Sequence, residues 1–342
     1  MRWNFFTRYD GAGASSRLRH FLWREKIASL GVDAGYFPFF TDGELSASLK
    51  GTKNPFFAAG SYRRRFAALA SPRDGAVVEY EALPFFPARL EALWLKKTPY
   101  VLDFDDDVAL KYARFPGLRG KFSELARRAA GVIVANRFLQ EKFSSCNERI
   151  LLSPTPIERI ASPTPKFPVF TVVWIGSRTT RRRYLEKFSP VLRALAARID
   201  YRLLAICDEA PELPGVPLVF EKWDPATQET LLAKSHVGIM PLDDGAFARG
   251  KSAYKLIQYL GAGIPAVASP VGENRFVLAE NETGCFARDP GEWCDAIVSF
   301  SADPRRAEKF GAAARLAAKR YLRDALWGNY RDFLQECFSK TK

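Results

Sequence analysis

The chain has 342 residues, about twice the roughly 150 of a typical domain, so two hydrophobic cores are expected. With 47% hydrophobic and 26% charged residues, it is not disordered, collagen-like or disulfide-stapled. The formal charge of +13 is uneven: the first 150 residues carry 24 Lys and Arg against 16 Asp and Glu, and residues 201–300 carry 8 against 14, which points to an anionic partner on one face.

Residues 2–7 read as a short apolar strand, Asp10-Gly-Ala-Gly-Ala-Ser-Ser16 as a glycine-rich turn, and residues 17–30 as an amphipathic helix that ends before Gly31. The start lacks the roughly 7–15 uncharged apolar residues of a signal peptide. The uncharged stretch 256–272 is broken by glycines and by Pro265 and Pro270, so a cytoplasmic chain that crosses no membrane is expected. Apolar runs at 76–80, 100–104 and 131–135, each reached through a helix-like stretch, continue as parallel strands joined by crossover helices. Residues 153–168 hold five prolines and little periodicity, which predicts a linker.

The alternation then restarts. Strands are predicted at 169–175, 201–206, 236–241 and 266–269, and helices at 184–197, 253–260 and 292–300. The fold class is α/β: two Rossmann-like doubly wound domains, 1–160 and 161–342, facing a central cleft, with the last helix expected to pack back on the first domain. Five cysteines without a CxxC pair, and two distant histidines, support neither a disulfide frame nor a zinc site. His20 and His236 read as structural.

Residues 243–274 are the densest constellation of polar and glycine residues. A polar loop leads into a helix whose first turn carries Ser252 and Lys255, so backbone N–H groups, the positive helix end and one ammonium converge where a phosphate could sit. Gln258 lies about one turn on and faces the same way. The spacing equally fits an ordinary amphipathic helix with a solvated Lys255. Trp174-Ile-Gly-Ser177, followed by Arg178 and Arg181-Arg-Arg183, has a second phosphate-binding shape, although some of these arginines are expected to form a solvated face. The loop Gly11-Ala-Gly13-Ala-Ser-Ser16-Arg17 lacks a full dinucleotide fingerprint. Its glycines let backbone approach a ligand, and Ser15 or Ser16 could instead cap the helix.

The segment Lys255-Leu-Ile-Gln258-Tyr259-Leu-Gly-Ala-Gly263-Ile-Pro265-Ala-Val267 resembles the Lys-x-x-Glu-Tyr-x-Ala-x-Gly-x-Pro-Val segment of family 4 (group 1) glycosyltransferases. Gly-Ala-Ser-Ser-Arg-Leu-Arg at 13–19, Tyr-Val-Leu-Asp-Phe-Asp-Asp at 100–106, Trp-Ile-Gly-Ser at 174–177, Ser-Pro-Val-Gly-Glu-Asn at 269–274 and Glu-Asn-Glu-Thr-Gly-Cys-Phe-Ala at 280–287 extend the resemblance along the chain. It implies a GT-B fold, a nucleotide-sugar donor held mainly by the second domain, an acceptor held mainly by the first, and retention of anomeric configuration. By the same resemblance neither a metal nor a cofactor is expected, the nucleotide-sugar being a substrate.

The resemblance makes Lys255, with Asp105 or Asp106 at the cleft, the expected catalytic groups, and leaves capping or structural roles to the other aspartates. Asp103-x-Asp105 also matches the metal motif of GT-A transferases and the nucleophile motif of haloacid-dehalogenase-type phosphatases, although the latter expects Thr or Val where Asp107 stands. Donor contacts are expected from Gly13, Ser15, Ser16 and Arg17, from Gly176, Ser177, Arg178 and then Arg182, from Lys251, Ser252, Tyr254 and Gln258, and from Gly272 and Asn274. Two glutamates that the family commonly spaces eight apart are here Gly250 and Gln258. A branch with a Gly-Lys-x-x-Tyr-Lys-Leu-x-Gln-Tyr pattern looks similar, which suggests substitution within a working design.

The expected function is sugar transfer from a nucleotide diphosphate sugar to an acceptor hydroxyl, with a nucleotide-sugar epimerase or an inactive GT-B binding protein as alternatives. Nucleic acid is not an expected partner. Arg63-Arg-Arg65 beside Phe56-Phe57, Tyr62 and Phe66, with Lys96-Lys97 after the apolar run 90–95, predicts peripheral docking on an anionic inner membrane face. The acceptor is then expected to be a lipid-linked or surface-polysaccharide glycan.

Overall fold

The structure, a computed structural model, describes residues 1–49 and 55–339. The chain divides into Met1–Pro156 with Leu326–Lys342, and Ile157–Ala325. The first division falls a few residues before the 160/161 boundary read from the sequence, and most of the last helix, Arg323–Phe338, lies in the first unit.

Six parallel strands form the first sheet: β1 (Arg2–Tyr9), β2 (Asp33–Phe40), β3 (Gly75–Glu79), β4 (Tyr100–Phe104), β5 (Gly131–Val134) and β6 (Ile150–Leu152), in the order β2-β1-β3-β4-β5-β6. β3, β4 and β5 are buried along their whole length, as continuous apolar runs covered on both faces must be. One face, with Phe6, Val78 and Leu102, packs under the crossover helices. The other, with Trp3, Val77, Val101 and Ile133, is covered by Trp23 and Ile27 and by Tyr330, Leu334 and Phe338 of the last helix. A Cβ on Gly75 would stand 2.5 Å from the Phe338 ring and one on Gly131 2.6 Å from that of Phe333, so both strands leave out a side chain where the helix inserts one.

Two expectations fail here for local reasons. The helix expected over 17–30 is three short pieces, Ala14–Arg19, Phe21–Trp23 and Arg24–Ala28, because the backbone leaves helical geometry at His20 (φ −127°, ψ −55°), whose side chain turns into the core. β2 escaped the reading since Gly35 and Pro38 interrupt its pattern; it is an edge strand, where a missing N–H is tolerated.

The second sheet is also parallel: β7 (Thr171–Ile175), β8 (Arg202–Cys207), β9 (Leu218–Lys222), β10 (Val237–Met240), β11 (Ala266–Ala268) and β12 (Gly284–Phe286), in the order β12-β11-β10-β7-β8-β9. The buried Tyr259, on helix Tyr254–Ala262, lays its ring where a Gly238 Cβ would stand at 2.5 Å and donates to Ile239 O at 3.1 Å. The proline-rich segment is bonded along the second unit: Ile157 N–H donates to Tyr321 O, Ala161 N–H to Gly261 O and Phe167 N–H to Lys234 O, each within 2.9 Å. In both sheets the chain reverses its direction of growth once, between β1 and β3 and between β7 and β10, and ligands of open α/β sheets bind at the carboxyl ends of such strand pairs.

Candidate functional site

At the β7/β10 switch point, Gly176 starts the turn after β7. Its missing side chain makes room for the buried Trp174 ring, 2.6 Å from where a Cβ would stand, and for Thr180 Oγ1 at 2.7 Å. The Lys255 ammonium lies 5.3 Å from the centroid of that same indole. The two phosphate-binding shapes read from the sequence, 78 residues apart at Ser177 and Lys255, thus meet on one aromatic ring. Beside them, Phe247 carries two cations, Arg183 at 4.6 Å and Lys251 at 4.7 Å from its centroid. Tyr184, Ala248 and Val271 form a small apolar cluster that ties together the loops after β7, β10 and β11. Gly272 (φ +54°) seals it, since a Cβ there would lie 2.6 Å from Arg249 O. Just before the helix, Ala253 is held at φ +53°, a left-handed conformation unfavourable for any residue with a Cβ.

The arginine run divides by role. Arg178 pairs with Glu209, and the buried Arg181 reaches Glu209 at 3.4 Å, Glu186 at 3.0 Å and the Ala210 carbonyl. Arg182 is exposed, and Arg183, not singled out in the sequence, joins Lys251 on Phe247. Ser177 Oγ lies 3.4 Å from Thr180 Oγ1. Ser252 is buried and Tyr254 half-buried. Gln258 Nε2 donates to Gln228 Oε1 at 3.4 Å, and that oxygen also accepts from Trp223 Nε1 at 2.9 Å. Asn274 is 1% exposed and its amide donates to Ser269 O at 3.0 Å, which braces the loop after β11.

In the first unit, the β1/β3 switch point gathers a buried polar cluster. Ser16, one of the residues read as a helix cap or a donor contact, does not cap the helix. Its hydroxyl is fully buried, accepts from Tyr9 N–H at 2.9 Å and donates to Glu79 at 2.5 Å, while Gly13 is the cap residue. Gly13 is required because a Cβ would overlap Tyr9, at 2.2 Å. Ser15 is half-buried, and Arg17 lies within 3.3 Å of Ala12 O and 3.4 Å of Gly11 O.

The aspartate run also divides by role. Asp103 is buried against both Arg19 Nε and NH2, at 2.8 and 2.6 Å. Asp107 accepts from Ala109 N–H at 3.0 Å and from Lys142 at 2.7 Å. Asp105 accepts from the Tyr80 hydroxyl, and Asp105 and Asp106 are the half-buried carboxylates at the strand end. His20 is fully buried between Glu79 at 3.8 Å and Asp103 at 3.9 Å, and its pKa is held down, chiefly by burial. Of the cations expected at a membrane in Arg63-Arg-Arg65, Arg63 and Arg64 are exposed and Arg65 turns inward. Arg65 is 1% exposed, donates to Thr7 O at 2.6 Å and has its pKa lowered to about 10 by burial. Arg64 is paired with Glu44 at 2.6 Å, and Tyr62 and Phe66 pack on Phe86. The Phe56 side chain lies outside the described residues.

Among the described residues, no cluster of three or more His, Cys, Asp or Glu is arranged to hold a metal ion, and no helix is long and apolar enough to cross a membrane. No family model and no curated protein sequence matches the chain. Solved structures do. The chain is similar to sucrose-phosphate synthase from Thermosynechococcus elongatus, at 14% identity and TM-score 0.69 over 100% of both chains. It is similar to Anabaena HepE in complex with UDP and glucose, at 14% identity and TM-score 0.70 over 98% of this chain and 99% of that one. The lipopolysaccharide outer core galactosyltransferase WaaB is matched at 13% identity and TM-score 0.66, over 99% and 100%. Two parallel six-stranded sheets with this connectivity, and these likenesses, define the class: the chain has the GT-B fold.

Proposed function

We propose that this protein is a glycosyltransferase of the family 4 kind, moving a sugar from a nucleotide diphosphate sugar to an acceptor hydroxyl with retention, in the synthesis of a cell-surface glycan or glycolipid. The observation that carries the reading is the meeting of the Gly176 turn, the Trp174 ring and the Lys255 ammonium at the β7/β10 switch point, with Arg183 and Lys251 fixed on Phe247 beside them. Cations and a small-residue turn at the carboxyl ends of parallel strands suit a diphosphate that gains charge as it leaves. The similar HepE structure holds UDP and glucose, which supports a nucleotide-sugar donor. Lys255 is assigned to the leaving diphosphate and Gln258 to a donor hydroxyl. A donor phosphate oxygen takes the acceptor proton on the face the diphosphate leaves, and Asp105 or Asp106 orients the acceptor.

A thermal-shift series over UDP-, GDP-, ADP- and CMP-sugars tests the reading. One donor class should stabilise the protein, by about 2.7 kcal/mol at about 100 times its dissociation constant. Lys255→Ala should keep the unliganded midpoint, weaken that donor about tenfold or more and cut turnover about 10²-fold. A variant that responds to donors and transfers sugar like the parent removes the assignment.

A further inference from the structure

Between residues 85 and 115 the first unit exposes five large apolar side chains: Phe85 (56%), Leu90 (47%), Leu93 (52%), Leu110 (40%) and Phe115 (37%). From 85 to 120 every exposed charged residue is a cation: Arg89, Lys96, Lys97, Lys111, Arg114 and Arg119. The acids of this stretch are withdrawn, with Glu91, Asp103 and Asp107 buried and Asp105 and Asp106 half-buried at the end of β4. Leu90 and Leu93 lie on the helix Ala88–Leu95, whose Ala88, Glu91, Ala92 and Leu95 face inward, so its outer side is leucine bordered by Arg89, Lys96 and Lys97. Phe85 joins this helix to the loop after β4, its ring 5.0 Å from Tyr112 and 5.9 Å from Phe115. It does so at φ +59°, a strained backbone for a bulky residue that presents its ring outward.

We propose that this face docks on an anionic lipid bilayer, with Phe85, Leu90, Leu93 and Phe115 entering the headgroup layer and the surrounding cations meeting lipid phosphates. An exposed apolar row bordered by one sign of charge is the pattern of a helix that lies in a membrane interface. Charge complementarity selects the anionic bilayer. A nucleic acid would use the cations and leave the exposed leucines without a role. The surface shares no residue with those assigned to the donor, so it does not depend on the transferase reading.

Co-sedimentation of the full chain with vesicles of phosphatidylcholine, and of phosphatidylcholine mixed with phosphatidylglycerol, tests this. Binding is expected to the mixed vesicles, with release by high salt as screening shortens the attraction. Lys96→Glu with Lys97→Glu should reduce partition about fivefold or more for each charge removed. Leu90→Ser with Leu93→Ser should reduce it at least about tenfold, and both pairs should keep the parent's thermal midpoint because these side chains are exposed. Equal partition onto neutral and mixed vesicles overturns the proposal. So does loss on charge reversal with no effect of the leucine pair, which marks a site for a soluble polyanion. A chain that binds mixed vesicles but no nucleotide sugar retains this surface and loses the transferase reading.

Discussion

Gln258 offers the most direct probe of donor recognition at single-residue scale. Its amide is already engaged with Gln228, which in turn holds the Trp223 indole, so the side chain is aimed rather than loose. A neutral amide contacting a hydroxyl contributes about 1 kcal/mol. Gln258→Ala should therefore weaken the donor about fivefold, read as a dissociation constant by titration calorimetry. Gln258→Glu should shift it by a similar factor, tighter if the carboxylate finds a hydroxyl and weaker if it repels the diphosphate. Unchanged affinity in both variants would put residue 258 outside the site. The run Asp103-Phe-Asp-Asp-Asp107 marks how far single residues were legible. Its position at a strand end followed from the apolar run before it, but which carboxylate turns inward is decided by Arg19, 84 positions away, and by Lys142, 35 away. Pairings of that range leave no local pattern.

The loops after β7 and β10 work as a pair of elements, and Gly176 is where they can be pried apart. A methyl group there collides with the buried Trp174 ring and with Thr180 Oγ1, and overpacking of this kind costs about 1–3 kcal/mol. Gly176→Ala should lower the thermal midpoint and abolish the donor-induced shift, because Trp174 carries Lys255. Gly43→Ala, on an exposed helical glycine with nothing within 4 Å of an added Cβ, should be neutral or stabilising. A Gly176→Ala protein with the parent's midpoint and donor response would show that the turn tolerates a side chain. The strand, glycine and basic-helix order of 171–183 was readable because each part is a local signal. The stacking of Arg183 and Lys251 on Phe247 was not, since Arg183 and Phe247 are 64 positions apart and meet only when two loops come together over the sheet.

For the whole molecule, His236 sets an acid limit. Its Nδ1 accepts from Thr171 N–H at 3.0 Å, an interaction that protonation destroys. Burial first, then Lys166 and Arg202, lower its pKa from 6.5 to about 4. The unfolded chain thus takes up the proton at higher pH than the folded one, so this group's stabilisation is complete above about 6.5 and is lost as pH falls toward about 4. Thermal midpoints measured across that window should decline in the parent, and more shallowly in His236→Asn. An identical slope in the two proteins would assign the acid sensitivity to other groups. The α/β alternation of the whole chain was legible, because short apolar runs separated by helical periods have few other solutions. The discontinuity of the first unit was expected from the returning last helix, but the places that Phe333 and Phe338 take over Gly131 and Gly75 were not legible.

That discontinuity has a consequence for synthesis. Trp3, Val77, Val101 and Ile133 present a face that Trp23 and Ile27 cover only in part until Tyr330, Leu334 and Phe338 arrive, more than 170 residues after β6. Residues 157–325 are contiguous and can collapse as they leave the ribosome, while the half made first must wait for the half made second. In this protein β1 to β6 are made before, yet finished after, β7 to β12, and a fragment ending at Pro156 would emerge with the sheet face around Trp3 lacking its Tyr330, Leu334 and Phe338 cover.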